Sequence, residues 1–283
     1  MQPFYVAKAQ QEVDSTQFKK YRNVLYGAGV LYAASLAGLS KIWYSEHDRD
    51  SFRFFNDNPE WYQMDKAGHF FSAFHISQST NLLFQKAGMD SDKALLWSTL
   101  AGPVLLLPIE ILDGFSKAYG ASTGDFLANL SGSLFFMAQH QLWDQAYVKP
   151  KFSFQRSPMA VHRPEVLGYN LQEELIKDYN GQTYWLSFDL YSLTGIENFP
   201  KWLNIAVGHG IENVVHARKE VNASQGYNGY RQFYLALDFD LSHIKSRHSF
   251  INTLLYLVDL IHIPAPALEY NRKQGIKFHA LQF

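Results

Sequence analysis

The hydrophobic period of this chain changes near residue 183. Before that point apolar residues gather in runs of helical length, and after it they alternate with other residues. Tyr184, Leu186, Phe188 and Leu190 alternate with Trp185, Ser187, Asp189 and Tyr191. Leu203, Ile205 and Val207 alternate with Asn204, Ala206 and Gly208. Phe233, Leu235, Leu237, Phe239 and Leu241 alternate with Gln232, Tyr234, Ala236, Asp238 and Asp240. A period of two puts alternate residues on opposite faces of a strand, so these segments read as strands with one face buried. The change of period predicts an α+β fold. An N-terminal apolar helical bundle of about four helices precedes a C-terminal antiparallel β-rich region. Gly195, Gly208, Gly210, Gly226 and Gly229 supply turns, residues 250–263 read as strand or short helix, and residues 276–283 read as a closing strand. About five or six strands fall short of the eight of the smallest spanning barrel. A half-buried sheet packed on lipid, on the helices or on a partner is the simpler expectation.

The helical half begins with VLYGAGVLYAASLAGLSKIWY at 24–44, in which Lys41 is the one charge. That is long enough to cross a bilayer, and its small residues would admit a neighbouring helix. The alternatives are a buried core helix or one lying on a membrane surface. Further helices are expected from Asp65 to Lys86, from Lys93 through an apolar run holding Pro103 and Pro108, and from Asp125 to Trp143. The two prolines predict kinks. Pro150, Pro158 and Pro164 break the pattern that follows, although a short polar helix fits within 165–179. The resulting division is an N-terminal tail at 1–20, polar and loose over 10–20, a helical membrane-associated domain at 21–147, a linker at 148–182 and a β-rich region at 183–283. Ala7-Lys8-Ala9 has the small-x-small form of a signal-peptidase site, so the tail reads as a signal-peptide remnant or a chance match.

Bulk composition narrows the partners. Charged residues make up 18% of the chain, below the roughly 25% of an average soluble domain, and aromatics reach 16%. The formal net charge of −1 gives no electrostatic case for nucleic acid. A mean hydropathy of −0.20 confines the apolar material to segments. The absence of cysteine excludes disulfides, thiolate metal sites and a cysteine nucleophile.

Three polar clusters interrupt the apolar helices. Asp65 and His69, with Lys66 between them, are four apart and share a helix face. Glu110 and Asp113 lie three apart at the end of the most apolar helix, before Gly114. Ser122, Asp125, Asn129 and Gly132 form the third cluster, with Asp125 and Asn129 again on one face. Ionisable groups in apolar helices are costly unless paired, liganded or hydrated. Convergence of the three clusters would satisfy them, and three uses stay open. They are a polar latch locking the bundle, a ligand or divalent-metal site with His69, Asp65 and Glu110 as candidate ligands, and a general acid–base pair built on His69. The other histidines lack metal-ligand spacing.

Taken in order, the DKxxH motif at 65–69, Glu110 with Asp113, and DxxxNxxG at 125–132 resemble the YfiM-type envelope proteins. More remotely they resemble the VanZ-like membrane proteins. The resemblance covers about residues 43–143, and the strand-rich tail resembles the extended form of that family. It implies a Gram-negative cell envelope, on the periplasmic or outer-membrane side, without an established activity. The chain departs from the lipoprotein members in having no lipobox cysteine. The expected partners are membrane lipid and an outer-membrane protein. The function expected is that of a structural or accessory envelope component, and the alternative is a protein acting on lipid or cell-wall headgroups through the Asp/His/Glu cluster.

Overall fold

A computed structural model describes residues 3–44 and 48–283. The chain forms an α+β arrangement of two compact units. The first comprises residues 1–56 and 72–141, and the second comprises 57–71 and 142–283.

The first unit is helical. Helix α1 runs Pro3–Tyr44, α2 runs Met64–Lys86, α3 runs Ser91–Gly114 and α4 runs Thr123–Trp143; α2 passes from the second unit into the first after Phe71. The helix begins at Pro3 rather than near Val24, so the loose stretch expected at 10–20 is helical instead. Asp90 caps α3 by accepting from the Lys93 N–H. Pro103 and Pro108 lie inside α3 without ending it. Hydroxyls from α1 reach its backbone: Tyr32 donates to the Leu105 carbonyl at 2.6 Å and Tyr44 to that of Ile109 at 3.4 Å. At Gly102 the helices approach closely. A Cβ placed there would lie 2.0 Å from Ser133 Oγ and 2.9 Å from both Ala73 O and Ser77 Oγ. The Ser77 hydroxyl donates to Ser133 Oγ across the same gap at 2.9 Å.

This unit buries many polar side chains beside the apolar Phe74, Leu106 and Phe136. Ser77, Asn81, Ser98, Thr99, Glu110, Asp125, Asn129 and Gln139 are buried, while Leu96, Trp97, Val104, Leu107, Phe126 and Leu127 are exposed. Two stretches, Leu25–Tyr44 and Ser91–Gly114, are long and apolar enough to cross a membrane.

The second unit is a six-stranded antiparallel sheet in sequence order, β1 (Val148–Phe154), β2 (Gln182–Phe188), β3 (Leu203–Glu212), β4 (Tyr230–Phe239), β5 (Ala265–Asn271) and β6 (Gly275–Gln282). Short helices fill its connections: α5 (Pro164–Leu167) and α6 (Leu171–Lys177), α7 (Leu190–Thr194), α8 (Lys219–Ser224) and α9 (Ser249–Asp259). Residues 148–154 were expected to be linker; they form β1. Pro150 hid the strand from the sequence, and an edge strand is where a sheet tolerates proline. The outer side of β1 is met by the segment leading into β5. Phe152 N–H donates to Leu260 O at 3.0 Å, and His262 N–H to Phe152 O at 2.9 Å. Within this unit the sheet therefore curls, its far edge touching the chain that enters β5.

The curled sheet encloses the polar set of the alternation. Cross-strand register aligns Ser187, Ala206, Ala236 and Ala267 on one row, with Asn204 opposite Asp238. All of these are buried. The other set, Val207, Phe233, Leu235, Leu237, Leu268, Tyr270, Ile276 and Phe278, is exposed, with Leu235 at 50% and Phe278 at 69%. Periodicity separated the two faces correctly, but it is the polar face that is enclosed. Gly208 faces inward opposite Trp185, and a Cβ there would sit 2.5 Å from the indole. The missing side chain lets Trp185 lie flat, stack on His262 at 3.9 Å and donate its N–H to Ser153 Oγ at 2.8 Å.

Candidate functional site

The residues singled out from the sequence fall in both units. In the second, Asp65 Oδ1 accepts from the Tyr179 hydroxyl at 3.0 Å and lies 3.7 Å from His69 Nε2. One helical turn separates Asp65 and His69, so the shared face expected of them holds. Lys66 Nζ is committed elsewhere, 2.6 Å from Asp57 and 3.4 Å from Asp65. In the first unit, Glu110 Oε2 accepts the Ser122 N–H at 3.1 Å, and Ser122 Oγ accepts the Asp125 N–H at 3.1 Å. Ser122 thus caps α4, as its spacing from Asp125 suggested. Asp113 Oδ1 accepts the Tyr44 hydroxyl at 2.7 Å, and Asn129 is buried.

A larger polar assembly lies inside the curled sheet, and sequence reading missed it. Lys149 Nζ is 2.9 Å from Asp240 and 3.1 Å from Asp259, and Lys151 Nζ is 2.8 Å from Asp238 and 3.0 Å from Asp259. Lys151 also donates to the Phe239 carbonyl at 2.7 Å. His262 Nδ1 lies 3.0 Å from Asp238, and the Ser187 hydroxyl donates to Asp238 at 2.6 Å. Such a buried array is tolerated only when each charge has partners. Here both lysines bridge carboxylates. The available signal was the pairing of Lys149 and Lys151 with Asp238 and Asp240, each pair spaced by two.

A groove of about 510 Å³ opens beside the start of α2. Ala67, Phe70 and Phe71 form one wall, and Tyr184, Leu186, Val207, His209 and Phe233 belong to the sheet wall. Near its His209 side the backbone is strained: Trp61, Tyr62 and Gln63 hold positive φ angles of 45°, 53° and 64°. The turn they make presents the Tyr62 carbonyl to Arg231 Nη1 at 2.8 Å, and Gln63 Oε1 accepts from Arg231 Nη2. Arg231 Nη1 also lies 2.9 Å from His209 Nε2. The Arg231 guanidinium and the Lys219 ammonium both stand over the Tyr62 ring, 5.5 Å and 4.6 Å from its centroid. Among the described residues neither cation has a carboxylate partner.

Away from the sheet, Arg156 donates from Nη2 to Glu174 Oε1 at 2.6 Å and from Nε to Oε2. These hydrogen bonds hold the Glu174 carboxyl below the usual carboxylate range.

Residues 53–155 match the sequence pattern of a family described as Predicted periplasmic lipoprotein (DUF2279). The matched stretch takes in all three polar clusters and ends with β1. Its description agrees with the expected location in the cell envelope on the periplasmic side. No curated protein and no solved structure matches the chain.

Proposed function

We propose that this envelope protein is a membrane-embedded accessory component at the outer membrane, with lipid against both its helices and the outer face of its sheet. The observation that carries the reading is inverted polarity. In each unit a set of charged or amide side chains is enclosed, beside buried aromatics such as Phe74, Phe136 and Trp185, while many large apolar side chains are exposed. Water gives no reason for that arrangement, because scattered exposed leucines are ordinary but a sheet face lined by Phe233, Leu235, Leu237, Leu268, Ile276 and Phe278 is not. A bilayer does, since it is the solvent in which apolar side chains face outward and polar ones pair within. At ten residues each, β3 and β4 reach the length of a spanning strand.

The chain has no cysteine, so single-cysteine labelling needs no background removal. Environment-sensitive labels at Leu235→Cys and Phe278→Cys are expected to be quenched by spin-labelled lipid, while one at exposed Lys245→Cys is quenched by aqueous iodide. Iodide quenching of all three alike would sink the reading. The headgroup-processing alternative would draw on Asp65 and His69, 3.7 Å apart. Loss of cellular function in His69→Ala, with the fold intact by circular dichroism, would favour it.

A further inference from the structure

We infer that the groove beside α2 holds one acyl chain of an anionic phospholipid, with the headgroup phosphate placed against Arg231 and Lys219; this rests on the membrane reading above. Three observations combine. The groove, at about 510 Å³, lies within the ordinary range of roughly 300–1,000 Å³ for small-molecule sites. Its outward-facing wall residues are apolar except for His209 and the Tyr184 hydroxyl, and Tyr184 already donates that hydroxyl to Gln182 at 3.0 Å. It is open along one side, as an alkyl chain entering from a bilayer requires.

Charge fixes the class of lipid. Arg231 sits two residues from Phe233 on the outward face of β4, and its guanidinium is within hydrogen-bond distance of His209, which lines the groove. Its other partners, the Tyr62 carbonyl and the Gln63 amide oxygen, are neutral. They orient the guanidinium without cancelling its charge. Lys219 adds a second cation on the other contact of the Tyr62 ring. Arg231 beside groove-lining His209, and Lys219 on the Tyr62 ring that Arg231 also contacts, are two cations without carboxylate partners and complement a phosphate joined to an alkyl chain. A zwitterionic headgroup would bring a competing cation to the same place.

The left-handed run at Trp61–Gln63 has a use on this reading. It turns the Tyr62 carbonyl and the Gln63 side chain toward Arg231, and so fixes the guanidinium beside the groove mouth.

The test is native mass spectrometry of the full chain in detergent, after incubation with phosphatidylglycerol or phosphatidylcholine of equal chain length. Wild type is expected to retain one phosphatidylglycerol in preference to phosphatidylcholine. Arg231→Gln and Lys219→Ala should each reduce that preference by about tenfold, the worth of a charge-assisted hydrogen bond. Arg231→Lys should restore part of it. Val207→Trp, which fills the groove from its partly exposed wall, should abolish retention of both lipids. Lys219 is exposed and Val207 faces outward, so neither change disturbs the enclosed charges. Equal retention of the two lipids, or retention unaffected by Val207→Trp, would overturn the proposal. If no lipid is retained while the Leu235 label is still quenched from the bilayer, the groove assignment fails alone. If that label reports water, the membrane reading fails with it.

Discussion

Replacement of Lys151 by methionine tests whether the enclosed charges act as one network. Lys151 is 1% exposed and holds Asp238, Asp259 and the Phe239 carbonyl, each within 3.0 Å. Methionine keeps most of the aliphatic volume and removes the charge. Counted over its two lysines and three aspartates, the network passes from a net charge of −1 to −2. Breaking a buried ion pair by deleting one partner costs about 3–5 kcal/mol. The lower end applies, because Asp238 retains His262 and Ser187 and Asp259 retains Lys149. A loss of about 3 kcal/mol is roughly two orders of magnitude in the folding equilibrium. Urea unfolding of the protein in vesicles, followed by tryptophan fluorescence, reads that change directly. Lys151→Met/Asp259→Leu should then be less destabilised than the two single changes added, with a coupling of about 1 kcal/mol or more. A single variant within about 0.5 kcal/mol of wild type would refute the reasoning, since that is the range of an ordinary surface substitution.

Three further outcomes follow from separate contacts. Gly102→Ala should destabilise the helical unit by about 1–3 kcal/mol through overpacking against Ser133 and Ala73, whereas Gly27→Ala, with open space around it, should be neutral or slightly stabilising; thermal melts compare the two. The depressed carboxyl of Glu174 stabilises the fold above the unfolded-state value and loses that contribution as pH falls through its own lower one. Arg156→Met should therefore lower stability near neutral pH and leave it little changed at low pH, and a profile identical to wild type would deny the pair any role. Gly208→Val should displace Trp185 from His262 and Ser153, seen as altered near-ultraviolet circular dichroism, because its Cβ would lie 2.5 Å from the indole.

The positions of α2, α3 and α4 were legible because capping residues and apolar runs mark a helix locally. Ser122 beside Asp125 is such a mark, and its cap is present. The strands β2, β3 and β4 were legible from alternation alone. What failed depended on partners far along the chain. Pro150 disguised β1, whose strand geometry comes from pairing with residues 182–188. Residues 10–20, polar enough to suggest a loose tail, are helical and run unbroken into the apolar stretch that follows. Among the candidate residues, spacing correctly put Asp65 and His69 on one face, but it could not reveal that Lys66 is held by Asp57 or Asp113 by Tyr44.

The enclosed face of the sheet raises a more general point about period-two sequences. Alternation assigns residues to two faces and is silent on which face is shielded from water. The usual inference adds an assumption, that the apolar set is the buried one. Lys149, Lys151, Asp238 and Asp240 contradict it here, because they occupy the same face of the sheet and are all buried. Opposite charges on one strand face cost little if exposed, so their presence alone decides nothing. Their balance across β1 and β4 does carry information: lysines on one strand and aspartates on another, with serine, alanine and glycine on the strands between, leave room for ion pairs across a curled interior. An apolar row on the opposite face then has no core left to fill, and lipid is the remaining solvent that suits it.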